Sequence, residues 1–202
     1  PSQATPTAQG PQRAWDLLRD PPLRRLLLVN WFLSSCWDVH TFMVPILGHE
    51  RGISASAIGM VLGTFALAAT LIRFSLPMVA GRFKEWQIIT AAMLMTGLLL
   101  ALYPFTATAW MMGLCSGLLG LSLGSVQPMV MSTLHQITPE PRQGEALGLR
   151  MMTINASSVL MPMVFGATSG LIGVAGVFWC LAAAVSSGAR VAWRLRADKN
   201  HG

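Results

Sequence analysis

The sequence has few charged residues, and this scarcity argues against an ordinary water-soluble domain. Only 11% of its 202 residues are Asp, Glu, Lys or Arg, whereas soluble globular domains carry about 25%. Hydrophobic residues make up 53% of the chain, and the mean hydropathy is +0.54. A chain with so little polar surface to offer to water is typical of a protein that faces lipid. We therefore predict an integral membrane protein.

Cysteine is also scarce, and its positions argue against metal or redox chemistry. Cys36, Cys115 and Cys180 lie far apart within apolar runs and form no CxxC pair. We interpret them as small buried hydrophobic residues, and we predict neither a metal nor a cofactor. The net charge of +6 could suggest nucleic acid as a partner. However, the basic residues are separated by apolar runs rather than clustered on one element, so no nucleic-acid binding is expected.

Six apolar runs are long enough to cross a bilayer as helices. A hydrocarbon core of about 30 Å requires about 20 helical residues. None of the runs alternates polar and apolar residues as membrane strands do, and buried backbone groups must be paired within each helix. We therefore predict an all-α bundle of six transmembrane helices. The runs cover 26–48, 57–80, 86–104, 109–134, 145–168 and 171–193.

The basic residues predict the orientation of these helices. Only Arg51 falls in a segment on one side of the membrane, and ten basic residues fall on the other. By the positive-inside rule both termini are cytoplasmic, in a plasma membrane of the bacterial inner-membrane type. We divide the chain into a cytoplasmic or interfacial linker (1–25), the membrane domain (26–193) and a cytoplasmic tail (194–202). The ten basic residues are Arg13, Arg19, Arg24, Arg25, Arg82, Lys84, Arg142, Arg194, Arg196 and Lys199.

The linker carries apolar and charged residues side by side in AWDLLRD, before Pro21 and Pro22. This pattern predicts a short interfacial helix that the prolines end. It suits either a connection from an upstream domain or a frayed tail, and the sequence leaves both open. No signal peptide and no initiator Met precede it, so we expect a fragment of a longer protein.

The first span raises the main functional question, because it holds Asp38 near its middle. At 100° per residue Asp38 shares an arc of roughly 100° with other polar or aromatic residues, which forms a stripe along the helix. A carboxylate at this depth costs a few kcal/mol unless it faces water or a partner. We therefore predict that Asp38 binds substrate or a coupling proton, with a structural carboxylate as the alternative. His40 lies about 160° away, so a direct Asp–His relay is not expected, although His40 remains a candidate. The stripe comprises Asn30, Ser34, Trp37, Asp38, Thr41 and Pro45.

Polar and small residues in the other spans supply further candidates. Arg73 lies about 10 Å inside the second span and could snorkel outward or pair with an acid. Asn155 and Gln127, together with Asn30 of the first span, could bind a substrate or a coupling proton. Pro162 and Gly166 permit the fifth span to bend. The fourth span carries glycines that suit close contact between helices. Charged residues lie at the cytoplasmic start of the fifth span, which we call its mouth. The glycines are Gly113, Gly117, Gly120 and Gly124, and the charged residues are Arg142, Glu145 and Arg150.

Several motifs together resemble the C-terminal six-helix half of a major facilitator superfamily transporter. They are LLRDPPLRRLLL before the first span, RFSLPMVAGRFKEW after the second, PEPRQGEALGLR entering the fifth and PMVFG within it. The family loop G-x-x-x-D-R-x-G-R-R keeps its Arg here as Arg82, with Gly81 in place of the Asp. Pro162 and Gly166 match the family's G-P-x-x-G, with Met161 in place of the first glycine.

The resemblance implies twelve helices in two six-helix halves, each built from two inverted three-helix repeats, with a substrate cavity between the halves. It predicts secondary transport of a small organic solute by alternating access, with proton coupling and efflux favoured over sugar or phosphate uptake. Arg73, Arg82, Arg142, Glu145 and Arg150 would form a cytoplasmic gate. The partners would be lipid, a small-molecule substrate, protons and an N-terminal six-helix half.

Three alternatives differ in class from that function. One is a non-transporting scaffold or sensor, and a second is a half-size transporter that works as a dimer. The third, an intramembrane serine protease, would use Ser116 in GLCSG with a His on the last span. That span contains no His, and His135 lies at the end of the same span as Ser116.

Overall fold

The protein is described by a computed structural model that covers residues 14–80 and 84–198. All regular secondary structure in these residues is helical. The five α-helices are α1 (Pro21–Glu50), α2 (Ala55–Ala80), α3 (Glu85–Leu102), α4 (Ala109–Ile137) and α5 (Gln143–Asp198). Short 3-10 helices lie at Ala14–Arg19, Tyr103–Phe105 and Glu140–Arg142.

Four helical stretches are long and apolar enough to cross a membrane in the described part of the chain. They are Ala55–Leu76, Glu85–Phe105, Ala109–Ile137 and Glu140–Trp193. The α1 helix is also long enough to cross a membrane but is not among these stretches, and its apolar run contains Asn30, Asp38 and His40. Long helices without strands confirm the predicted all-α membrane bundle.

The helix α5 contains the predicted fifth and sixth spans. Its membrane-crossing stretch has 54 residues, which at 1.5 Å per residue is about 80 Å of helix and more than twice a hydrocarbon core. The break lies at Gly173, with φ 73° and ψ 165°. Since a positive φ crowds a Cβ against the backbone, glycine is the residue that fits. The predicted break at 167–170 is therefore wrong, because that stretch remains helical.

The chain reverses direction at Gly173. At the start of α5, Gln143 Oε1 lies 3.0 Å from Nδ1 of His135, near the end of α4. At its other end Trp193 packs on Trp86, with ring centroids 5.0 Å apart. Glu85, next to Trp86, accepts a hydrogen bond from Gln136 at 2.7 Å. Both ends of α5 thus lie at the same face of the bundle, and its two segments run antiparallel.

The start of α1 also differs from the prediction. We predicted that Pro21 and Pro22 end the preceding short helix. In the structure they also form the first turn of α1. Proline suits this position because the first N–H groups of a helix have no partner within it. The helix therefore begins at Pro21, five residues before the predicted span.

The glycines of α4 bring that helix close to α2. A Cβ at Gly124 would lie 2.7 Å from both Cα and the carbonyl oxygen of Ala69, and one at Gly120 would collide with the carbonyl oxygen of Phe65. At Gly117 the nearest atom is Cγ2 of Thr64, at 3.3 Å, whereas Gly113 has open space. Three of the four glycines therefore face α2.

Arg51 joins two loops at the opposite face of the bundle from Trp193. Its Nη1 donates to Oγ1 of Thr106 at 3.0 Å, and its Nη2 donates to the carbonyl oxygen of Pro104. The connection from α1 to α2 is thereby bound to the connection from α3 to α4. This contact gives Arg51 a structural role.

Candidate functional site

The carboxylate of Asp38 is held by hydroxyl groups from α5. Ser157 Oγ donates to Oδ2 at 2.6 Å, and Ser158 Oγ donates to Oδ1 at 3.3 Å. The Ser157 hydroxyl also lies 3.3 Å from that of Ser35, one turn before Asp38 on α1. Since α1 and α5 pack side by side and both leave the same face of the bundle, these residues meet at the same depth. The contact places Asp38 between the two helices while leaving it partly exposed.

Asp38 lines a cavity of about 240 Å³ that receives residues from four helices. Arg73 of α2 enters the same cavity, and its Cζ lies 5.7 Å from the ring centroid of Trp37, in cation–π contact. Among the described residues no carboxylate oxygen lies within salt-bridge distance of Arg73. The acidic partner considered for Arg73 is thus replaced by an aromatic ring. The lining residues are Ser34, Trp37, Asp38, Arg73, Gln127, Ile154 and Ser158.

Larger hollows lie elsewhere in the described part of the chain, and two of these are apolar. They measure about 600 and 640 Å³ and lie between α2 and α4 and beside α3. Apolar side chains such as Leu118 and Leu121 line both. Neither hollow is lined by a charged side chain, so the smaller cavity, which Asp38 and Arg73 line, is the candidate functional site.

Arg150 does not join the charges at the mouth of α5. Its side chain is only 4% exposed, and its Nη2 donates to Oε1 of Gln127. Five helical residues separate it from Glu145, a rotation of about 140° that turns the two side chains to different faces. The grouping of Arg150 with the mouth therefore does not hold. Arg142 and Glu145 do pair, with Nη2 and Oε2 2.7 Å apart.

The remaining gate and hinge candidates lie in separate places. Arg82 lies outside the described residues. Pro162 is partly buried and sits within continuous helix, and Gly166 is exposed with open space around its Cα. The one non-helical residue within the described part of α5 is Gly173, so the observed break lies seven residues beyond Gly166.

The two asparagines lie away from the lining of the cavity. Asn30 is 2% exposed, and its Nδ2 has no hydrogen-bond partner among the described atoms. Asn155 is exposed on α5. Of the amide residues singled out from the sequence, Gln127 is the one that reaches the cavity of Asp38.

His40 takes part in a second polar cluster that sequence reasoning missed. Its Nε2 lies 2.8 Å from Oγ of Ser116, which lies 2.7 Å from the hydroxyl of Tyr103. The imidazole stacks on Phe65, with ring centroids 4.0 Å apart. All three polar side chains are fully buried. His40 therefore faces the interior of the bundle, as its angular distance from Asp38 indicates.

The pairing of Ser116 with His40 resembles part of a serine hydrolase site. It differs because a substrate cannot reach the serine and because no third group orients the histidine among the described residues. A serine nucleophile must reach its substrate, and its histidine is oriented by a third group. Here both side chains have no exposed surface, and Nδ1 of His40 has no partner among the described atoms. In the sequence, only the single tyrosine pointed to this cluster of His40, Ser116 and Tyr103. A buried Tyr hydroxyl needs a hydrogen-bond partner.

The comparisons with known proteins agree with this architecture. The sequence model of the Major Facilitator Superfamily matches residues 26–202. A "Staphylopine export protein" of Staphylococcus aureus (strain Mu50 / ATCC 700699) is 24% identical over 150 residues, which is 71% of this chain. The match spans only 36% of that relative's length. Since the family match covers most of the sequence and the helices form a membrane bundle, the chain belongs to the major facilitator superfamily.

Proposed function

We propose that this chain is the C-terminal half of a proton-coupled exporter that moves a small organic solute by alternating access. A second six-helix domain packs against it, and the cavity of Asp38 lies where the two domains meet. Rocking of the domains opens the cavity to each side of the membrane in turn. The outward direction is supported by the name of the Staphylococcus aureus relative, which is an export protein.

The observation that carries this proposal is the environment of Asp38. The carboxylate lies in the interior of α1, in a cavity, and its contacts are the hydroxyl groups of Ser157 and Ser158. Hydroxyl groups can donate to the ionised form and accept from the protonated form. They therefore tolerate both forms, whereas a fixed ion pair with a basic residue would favour the ionised form alone. Such a carboxylate suits the exchange of a proton for a positively charged group of the solute.

The position of the second domain is supported by the faces that flank this cavity. Large apolar side chains on α2 and on the first part of α5 are exposed in the isolated chain. A second six-helix domain on these faces would close the cavity from the open side. The match to 36% of the relative's length is consistent with such a larger protein. The exposed side chains include Met60, Leu67, Leu71, Phe74, Met151, Met152, Val159 and Met163.

The cytoplasmic gate in this proposal is centred on the pair of Arg142 and Glu145. Arg82 and Lys84 lie on the same side by the distribution of basic residues, and both termini are cytoplasmic. The protein resides in an inner membrane of bacterial type. Ion pairs at the start of α5 form in one state, which they favour, and break in the other.

The test uses the full-length transporter in proteoliposomes with an imposed pH gradient. Asp38→Asn should abolish gradient-driven accumulation while solute exchange without a gradient continues, because the amide keeps the shape but cannot carry the proton. Glu50→Gln, at the exposed end of the same helix, is the matched control and should retain both activities. Undiminished gradient-driven accumulation by Asp38→Asn would remove this carboxylate from the coupling mechanism.

A further inference from the structure

The cavity of Asp38 carries charges of both signs that are not in direct contact with each other. Asp38 and Arg73 line the same hollow of about 240 Å³. The carboxylate is bound by serine hydroxyl groups, and the guanidinium lies over the ring of Trp37. In the described part of the chain the two groups form no salt bridge with each other. Each charge is therefore available to a ligand in the same small space.

The paired charges discriminate between solutes by their charge type. A simple cation attracted to Asp38 is repelled by Arg73, and a simple anion attracted to Arg73 is repelled by Asp38. An uncharged solute leaves both groups without a counter-charge once the second domain proposed above closes the site. A molecule with one positive and one negative group satisfies both residues at once.

We propose that this cavity selects zwitterionic solutes. A cationic amine of the solute lies against the Asp38 carboxylate, and an anionic carboxylate of the solute lies against the Arg73 guanidinium. The inference rests on the transport function proposed above and extends it by naming the class of substrate.

The other groups around the cavity fit such a solute. Arg150 lies behind Gln127, buried and with its Nε without a partner among the described atoms. Its charge adds to the positive potential at the end of the cavity away from Ser157, about 10 Å along α5. Trp37 and Ile154 offer an apolar wall. This chain's share of the cavity, about 240 Å³, is lined by both charged residues, so the two charged groups of the solute lie close together.

The experiment measures the binding of three probes that share a phenylethyl group. L-Phenylalanine carries both charges, phenethylamine only the amine and 3-phenylpropionate only the carboxylate. Isothermal titration calorimetry on the purified full-length protein gives a dissociation constant for each. We expect L-phenylalanine to bind on the order of tenfold more tightly than either analogue, because each analogue loses one charge-assisted hydrogen bond.

Variants assign the preference to the two charges. Asp38→Asn should remove the preference over 3-phenylpropionate, and Arg73→Gln should remove the preference over phenethylamine. Asp38→Glu and Arg73→Lys keep the charges and should keep the order of affinities. Arg190→Gln changes an exposed cation that lies beside α3, away from the cavity, and should leave the order unchanged.

Three results would overturn the inference. One is binding of either singly charged probe as tight as that of L-phenylalanine, and a second is no binding by any of the three. The third is loss of the preference in the charge-preserving variants, since a general distortion of the site would then explain it. A failure of the transport proposal can be distinguished from a failure of this inference. If L-phenylalanine binds with the expected preference but does not cross proteoliposome membranes, the zwitterion site stands and the transport proposal fails.

Discussion

Replacing Gly124 with alanine should force α2 and α4 apart and destabilise the bundle. The added Cβ would lie 2.6 Å from Cγ2 of Ile72 and 2.7 Å from Cα and the carbonyl oxygen of Ala69. Ordinary contact begins near 3.4 Å. The backbone of Ala69 cannot rotate away as a side chain can, so α2 must retreat by about 0.7 Å, a gap that forfeits a quarter or more of each contact's dispersion energy.

The expected loss is a balance of two terms. Overpacking a tight contact costs about 1–3 kcal/mol. Alanine returns at most about 1 kcal/mol through its higher helix propensity. The free energy of unfolding should therefore fall by about 1–2 kcal/mol for Gly124→Ala. In Gly113→Ala the Cβ meets nothing within 4 Å, so this variant should be unchanged or up to about 1 kcal/mol more stable.

The measurement is reversible unfolding in mixed micelles, titrated with sodium dodecyl sulfate and followed by circular dichroism. Gly113→Ala is the matched control because it makes the same change on the same helix. Gly120→Ala should behave like Gly124→Ala, since its Cβ would collide with the Phe65 carbonyl oxygen. If Gly124→Ala proves as stable as Gly113→Ala, the glycines do not set the distance between these helices.

Three further predictions use the same unfolding measurement. Ser116→Ala should cost about 1–3 kcal/mol, because it leaves the imidazole of His40 and the hydroxyl of Tyr103 buried without their shared partner; Ser187→Ala, on an exposed surface, should cost little. Gln127→Leu should lower the free energy of unfolding by about 2–3 kcal/mol, because the buried guanidinium of Arg150 loses its hydrogen-bond partner. Adding Arg150→Leu should recover most of that loss. Gly173→Ala should cost about 1–2 kcal/mol through its positive φ, whereas Gly170→Ala, in helical backbone with open space, should not. Equal stability of the two members of any pair would contradict the contact assigned to it.

The fold class could be predicted from the sequence because lipid imposes a simple rule on helix length and polarity. The runs that predicted spans two to four match α2, α3 and α4 closely, since turn formers bound them clearly. The end of the fifth span was misplaced because ATSG, with its Ser and Gly, has the composition of a turn. Gly170 and Gly173 have the same intrinsic preference, and only the packing of the returning segment on α3 determines which of them breaks the helix.

Only part of the candidate site could be predicted from the sequence, because the sequence gives the angular spacing within a helix but not the contacts between helices. The angular spacing within α1 places Ser34, Trp37 and Asp38 on one face, and all three line the cavity. Contacts between helices depend on how each helix is rotated about its axis, which a single sequence does not specify. For this reason the serines opposite Asp38, the inward turn of Arg150 and the cluster of His40 required the structure.

The reversal at Gly173 bears on how the chain enters its membrane. A single residue separates two long apolar segments, so almost no hydrophilic loop lies between them. Both segments therefore suit insertion together, as a preformed helical hairpin released sideways from the translocon. Epitope tags or reporter domains fused at this point would interrupt that hairpin, whereas fusions at the exposed Glu140 or Pro141 would leave it whole.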